Sequence, residues 1–310
     1  MTKAVSIAQS AASGVTVGFR NRLINGAMQI WQRGTTFSSD YTADRWQIAG
    51  TSMTAARSTD VPSTAFQYSM SFTGSSSAHI KQKIESYNCY DLVGQSITIS
   101  FWAKQTVGAG SNGIGVDLYT PNSVDNYAAV TKIAGTTLTT TNAWAFYSVT
   151  FTNLASSVTN GLQPLIYFPS ASSQTVIFTG VQLEVGTSAT NFDYRPYTTE
   201  LQLCQRYCVR WKDGRIAVGG WNSTTSADVM MKTPVTMRAT PSVTALANGQ
   251  LLNMAVAWYN ITSVTINPES IPDIVGVTAI VSTSGAAQGK VAILGGGGGS
   301  QPDYLFTAEL

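Results

Sequence analysis

The feature that most constrains this chain is a recurring short run in which apolar and polar residues alternate, bounded by glycine, serine and asparagine. Ile97, Ile99 and Phe101 alternate with Thr98 and Ser100; Tyr147, Val149 and Phe151 repeat the pattern, as do Ile114, Val116 and Leu118. A period of two sends successive side chains to opposite faces of a strand, so each run offers one apolar face to a core. Turn-forming clusters at 74–77, 108–113, 155–161 and 170–174 separate the runs. Many short strands with turns between them fold as a sandwich or barrel, so the chain is expected to be all-β. The run 175–183 is apolar on both phases in its first half, which predicts a central strand. Gly180 is its expected bulge or point of close contact.

Residues 199–211 break the pattern. Leu201, Cys204, Cys208 and Trp211 fall on one helical face, and Thr199 with Gln202 fits a capping box. The segment follows Arg195-Pro196, a natural boundary. Beyond it alternation returns in Leu252, Met254, Val256 and Trp258, in Val275 to Val281, and in Tyr304, Phe306, Ala308 and Leu310. The last of these predicts that the given chain ends within a strand. Asn248-Gly249 between two runs is a hairpin signal. The expected organisation is an arm at 1–20, a β-sandwich at 21–198, a linker helix at 199–211 and a second, smaller C-terminal β-sandwich at 212–310.

With 11% charged residues, the chain falls well below the roughly 25% of an average soluble domain. The net charge is +2, and basic residues are nowhere concentrated, which argues against nucleic acid as a partner. No apolar run approaches the roughly 20 residues of a membrane span, and the start lacks a signal-peptide core. A chain of this kind working outside cells would leave by lysis. Three cysteines, Cys89, Cys204 and Cys208, are too few and too badly spaced for a disulfide framework or a zinc site, so buried free thiols are expected.

Catalytic signals are weak, and no enzyme, metal or cofactor is expected. His79 is the single histidine and lies in an alternating strand segment. The five glycines at 295–299 lack the Lys-Ser/Thr of a phosphate loop and read as a connection between strands. Paired carboxylates among Asp40, Asp44, Glu85, Asp117, Asp125 and Glu184 keep glycoside cleavage open as an alternative. Trp221, Trp258 and Tyr259 are candidate stacking surfaces for a glycan. Trp221, beside Gly219-Gly220 and Asn222, reads as the exposed one, and Trp258 as core.

Several segments together resemble a family of bacteriophage tail-fibre and related virion structural proteins. They are NRLINGAMQIWQRG at 21–34, YTADRW at 41–46, ITISFWAK at 97–104, VQLEVG at 181–186 with ATNF at 189–192, ELQLCQRY at 200–207 and FTAEL at 306–310. The resemblance implies a jelly-roll sandwich similar to carbohydrate-binding modules, a short helix and a variable C-terminal β-domain. It further implies a homotrimer on the virion, other tail or baseplate proteins as neighbours, and a host cell-surface glycan as ligand. A collar, baseplate or head-decoration protein without a receptor, or a polysaccharide-degrading tailspike, are the alternatives. Within the motifs, Asp44-Arg45-Trp46 is expected to bury an ion pair or hydrogen-bonded arginine against the tryptophan. Arg33 and Glu184 are expected to pair across the strands that open and close the sandwich.

Overall fold

In a computed structural model of the protein, residues 19–76, 78–108, 113–253, 257–283, 288–296 and 300–310 are described. The expected arm, except for its last two residues, lies outside them, as do Met254, Val256 and positions 297–299 of the glycine run.

The first unit is built from β1 (Thr36–Phe37), β2 (Asp40–Tyr41), β3 (Gln47–Ala49), β4 (Thr54–Ser58), β5 (Ser69–Gly74) and β6 (His79–Lys81). It continues with β7 (Ile97–Val107), β8 (Ile114–Ser123), β9 (Asn126–Leu138), β10 (Ala145–Phe151), β11 (Gln163–Tyr167) and β12 (Gln174–Val185). Among the described residues these form two six-stranded sheets, ordered β1-β4-β5-β12-β7-β10 and β2-β3-β6-β11-β8-β9. From β5 to β12 the chain crosses repeatedly between the sheets. The first, eighth, third and sixth of these eight strands share one sheet; the second, seventh, fourth and fifth share the other. That winding is a jelly roll.

The alternating runs deliver the core. Ile97, Ile99 and Phe101 of β7 share one buried cluster with Ile114, Val116 and Leu118 of β8 and with Trp46, Phe72 and Phe178. Each such side chain contributes roughly 1.5–3 kcal/mol on burial. Thr98 and Ser100 are buried too. The Thr98 hydroxyl donates to the Gly186 carbonyl at 2.9 Å, so its burial leaves no polar atom stranded. β12 is central, between β5 and β7. Gly180 has φ 64°, and the pairing with β7 shifts register between Thr179 and Gln182, which makes it the bulge that its sequence context predicts.

Among the described residues α1 (Tyr197–Gln205) is the one α-helix. It begins before the expected Thr199, is preceded by Pro196 and has no side-chain cap bond, so the capping box does not form. It also stops before 211. Residues from Cys208 onward enter β13 (Cys208–Lys212), where Val209 and Trp211 bring β-favouring side chains and the backbone finds partners in a distant strand. Cys204 and Cys208 are free, buried thiols, as is Cys89.

The second unit adds β14 (Arg215–Trp221), β15 (Ser226–Lys232), β16 (Ser242–Asn248), β17 (Gln250–Asn253), β18 (Ala257–Ile266), β19 (Ile274–Val281), β20 (Val291–Gly295) and β21 (Pro302–Thr307). β13, β21 and β16 form a three-stranded sheet. The other six strands close into a barrel ordered β14-β15-β19-β18-β17-β20, and the sheet shares its core through Val209, Tyr304 and Phe306. Asn248-Gly249 does not make a hairpin. β16 pairs with β21, whereas β17 pairs with β18 and β20, so this dipeptide turns the chain from sheet into barrel. The last strand ends at Thr307, and residues 308–310 run on outside it.

Those final residues lock the two units together. Arg45 is buried; one guanidinium nitrogen donates to Glu309, another to the Lys83 carbonyl at 2.6 Å, and its carbon lies 3.5 Å from the centre of the Tyr207 ring. The arginine therefore packs on Tyr207, not on Trp46, whose indole N–H donates to the Asn25 carbonyl. Arg33 does not reach Glu184. It pairs with Glu309 at 2.7 Å and lies 3.8 Å from Asp44. Asp44 accepts from the Gln32 backbone and side-chain amides at 3.0 and 2.5 Å. Glu184 instead accepts from the Thr190 amide and hydroxyl at 2.8 and 2.7 Å, which pins the segment leaving β12. Two carboxylates of like chemistry were available to Arg33, and chain topology put the more distant one beside it.

An ion pair within the three-stranded sheet has an acid limit. Arg210 grips Asp303 through two hydrogen bonds of 2.7 and 2.6 Å, which holds the Asp303 carboxyl below the usual range. A depressed folded-state pKa gives stabilisation that is present above the unfolded value of about 3.9 and lost as pH falls through the folded one. Asp303→Asn is therefore expected to melt lower than the parent at pH 7, with the gap closing below about pH 4. Thermal melts across pH 2–7 check this; a gap that stays constant would refute it.

Candidate functional site

The aromatic side chains singled out from sequence fall on opposite sides of the barrel wall from those expected. Trp221 is 2% exposed and belongs to the barrel core, so it is not an open stacking surface. Tyr259 packs against it edge to face, with ring centroids 5.4 Å apart. Trp258, expected in the core, faces outward and is partly exposed. The cause is strand phase. Leu251 and Tyr259 pair in register and point inward, which turns Leu252 and its partner Trp258 outward.

A better-formed surface lies on the jelly roll, on the outer face of the sheet containing β6, β11 and β8. Ile48, Ile80, Ile166, Val116 and Leu118 point inward, so their neighbours in sequence line the outer face. Hydrogen-bonded register then sets two adjacent rows. One runs Ala49, His79, Tyr167, Gly115, Thr137; the other runs Gln47, Lys81, Leu165, Asp117, Gly135. Tyr119 follows on β8, opposite Lys132.

Gly115 lets the Tyr167 ring lie down. A Cβ at position 115 would come within 2.0 Å of Tyr167 Cε1 and 2.1 Å of its Cζ, so the ring rests on bare backbone. Gly135 does the same for a charged pair: Lys132 passes over it to reach Asp117 at 2.7 Å. The result is a low shelf with a flat phenol, a second phenol at Tyr119, and polar groups on both sides. Burial raises the Tyr119 pKa, and the neighbouring Asp117 carboxylate adds to the shift, so the Tyr119 phenol is a neutral donor at pH 7. Gln47 Oε1 and Asp117 Oδ1, in the same row, are buried atoms without a hydrogen-bond partner among the described residues.

A flat ring with amide, carboxylate and ammonium groups around it suits a pyranose. The ring offers an apolar face to the C–H side of the sugar, and the surrounding groups meet its hydroxyls. The opposite sheet also carries aromatic residues outside, Trp102 and Phe146, but their planes meet at 58° and lean on each other. None of the shelf residues except His79 and Asp117 stood out in sequence. A tyrosine in an alternating run gives no sign of which strand will lie beside it, and the glycine that flattens Tyr167 is more than fifty positions away.

The carboxylates considered for glycoside cleavage have structural partners. Asp40 accepts from Gln47 Nε2 at 3.1 Å, Glu85 from Tyr207 Oη at 2.7 Å and Arg206 Nη2 at 2.9 Å, and Asp125 from the Ser86 amide at 2.7 Å. Asp44, Asp117 and Glu184 are engaged as described above. A cleft of about 530 Å³ opens where the units meet, but Arg33, Arg238 and Glu309 on its wall are engaged in the lock. Among the described residues no cluster of His, Cys, Asp and Glu is arranged to hold a metal ion.

No protein-family model and no curated protein matches the chain. Among solved structures, it is similar to the enzymatically active domain of bacteriophage CBA120 tailspike protein 4, at 16% identity and a TM-score of 0.37. That match covers 54% of this chain and 22% of the tailspike chain, about a fifth of its length. The xylan-binding domain CBM22-1 from Paenibacillus barcinonensis Xyn10C is 12% identical, with 56% of this chain and 100% of that one covered and a TM-score of 0.37. TmCBM61, solved with β-1,4-galactotriose, is 13% identical, with 54% and 99% covered and a TM-score of 0.32. Likenesses of this size bear on neither ligand nor activity.

Proposed function

We propose that this chain is a non-enzymatic, saccharide-binding structural subunit of a bacteriophage tail fibre or short virion appendage, and that it assembles as a homotrimer. The observation that carries the binding role is the shelf on the jelly roll, where the Tyr167 ring lies flat on Gly115 among paired and unpaired polar groups. The virion assignment rests on the motif set at 21–34, 41–46, 97–104, 181–186, 189–192, 200–207 and 306–310. Two of its arginines, Arg33 and Arg45, hold Glu309 and join the two units.

Self-assembly has its own support. Trp258, Leu252, Ile293, Val218 and Met230 follow one another across the outside of the barrel in a single hydrogen-bonded row. Val218 and Met230 are 56% and 63% exposed, and Val291 beside them 45%. An uncharged stripe of this kind usually meets a partner, and packing of three copies around their barrels would cover it.

The test is a glycan array probed with purified protein, together with light scattering after size exclusion. Saccharide binding by a species of three chains is the expected result. A trimer that binds no saccharide would favour a collar, baseplate or head-decoration role. Release of new reducing ends from host capsule or lipopolysaccharide would instead favour a depolymerase. A monomer at micromolar concentration would sink the assembly model.

A further inference from the structure

The shelf also carries information about the kind of saccharide. Lys81 sits in its second row, between Gln47 and Leu165 in register. It is partly buried, and burial lowers its pKa with no anion acting to restore it. The two other lysines nearby are already engaged. Lys132 is paired with Asp117, two strands from Lys81 and so roughly 10 Å away. Lys83, two residues further along the same side of the chain, donates to the Leu310 carbonyl and lies 5.5 Å over the Tyr127 ring. Asp40, on β2, accepts from the neutral Gln47 amide at 3.1 Å. Among the described residues the Lys81 ammonium thus has no paired carboxylate; it lies beside a flat tyrosine and in one row with Gln47 and Asp117.

Resting on the saccharide-binding reading, we infer that the shelf takes an acidic saccharide, a uronic-acid-bearing oligosaccharide whose carboxylate is held by Lys81 while a neighbouring ring stacks on Tyr167. One unpaired ammonium matches one carboxylate. A phosphate monoester, with close to two charges, would leave part of its charge unanswered here. Partial burial favours the pair, because an ion pair removed from bulk water is less screened than an exposed one.

The experiment uses the full chain and a panel of uronic-acid oligosaccharides, each beside its carboxyl-reduced, neutral counterpart. Calorimetric titration is expected to show at least one acidic member bound roughly tenfold or more tightly than its reduced form. Raising salt should weaken the acidic ligand and leave the reduced one unchanged. Lys81→Gln should bring the two forms to equal affinity, and Lys81→Arg should keep most of the preference; melting curves show whether each variant is folded. Equal affinity of acidic and reduced forms for the parent protein would overturn the inference while leaving saccharide binding intact. Binding of neither form, with neutral glycans also inert on the array, would overturn both.

Discussion

Replacing Arg45 with methionine is expected to destabilise the folded chain by about 3–5 kcal/mol, the usual cost of breaking a buried ion pair from one side. Arg45 is 1% exposed. Burial works against its charge, and Glu309, Tyr207 and Tyr41 outweigh that penalty, so its pKa is raised. Methionine fills part of the volume but removes the donor to Glu309, the donor to the Lys83 carbonyl and the cation over Tyr207. Glu309 would be left with Arg33 alone. The backbone at Arg45 adds to the case. Its φ of 74° lies in the left-handed region, where a bulky residue is strained by about 1–3 kcal/mol unless its surroundings hold it.

Because Glu309 belongs to the last residues of the second unit and Arg45 to the first, the loss should loosen their junction. Denaturant melts followed by two probes would measure it. Trp46, Trp102 and Trp144 report on the jelly roll, and Trp221 and Trp258 on the barrel, so single-tryptophan variants can separate the transitions. The double variant Arg45→Met/Glu309→Gln should recover part of the lost stability, since it removes the abandoned carboxylate. A loss below 1 kcal/mol for Arg45→Met alone would show that the lock is ornamental.

The second large effect concerns the shelf. Tyr167→Ala is expected to weaken saccharide binding by about 2 kcal/mol, roughly 30-fold, as for a central aromatic anchor. Its effect on melting should be small, because the ring lies on the outer face and is partly exposed. Gly115→Ala tests the geometry without removing the ring. The new methyl would occupy the space of Tyr167 Cε1 and Cζ, so the phenol must lift and the flat surface is lost. Both variants should lose affinity together. Unchanged dissociation constants in either would place the ligand elsewhere, with the outward-facing Trp258 as the next surface to examine.

What could be read directly from the residues was the behaviour of each strand by itself. Alternation in Ile97–Phe101 and in Ile114–Leu118 placed the correct side chains in the core. Apolar character on both phases identified β12 as central, and a lone glycine in it marked the bulge. Small size and apolar surroundings kept Cys89, Cys204 and Cys208 as free, buried thiols. These properties follow from local stereochemistry and burial, which one segment of sequence carries within itself.

What the residues did not carry was which strands become neighbours and which face of each turns inward. The motif residues Arg33, Asp44, Arg45 and Trp46 were recognisable, yet the partner of Arg33 is Glu309 and not Glu184, a choice made where the end of the second unit returns to the first. Trp221 and Trp258 exchanged their expected places, Trp258 because pairing fixed the phase of β17 and β18. The shelf was assembled from β3, β6, β11, β8 and β9, which contribute two or three residues each. A period of two says that neighbouring side chains face opposite ways; only pairing across the sheet decides which of them meet. In this chain alternation determined the strands, and tertiary pairing determined the lock and the shelf.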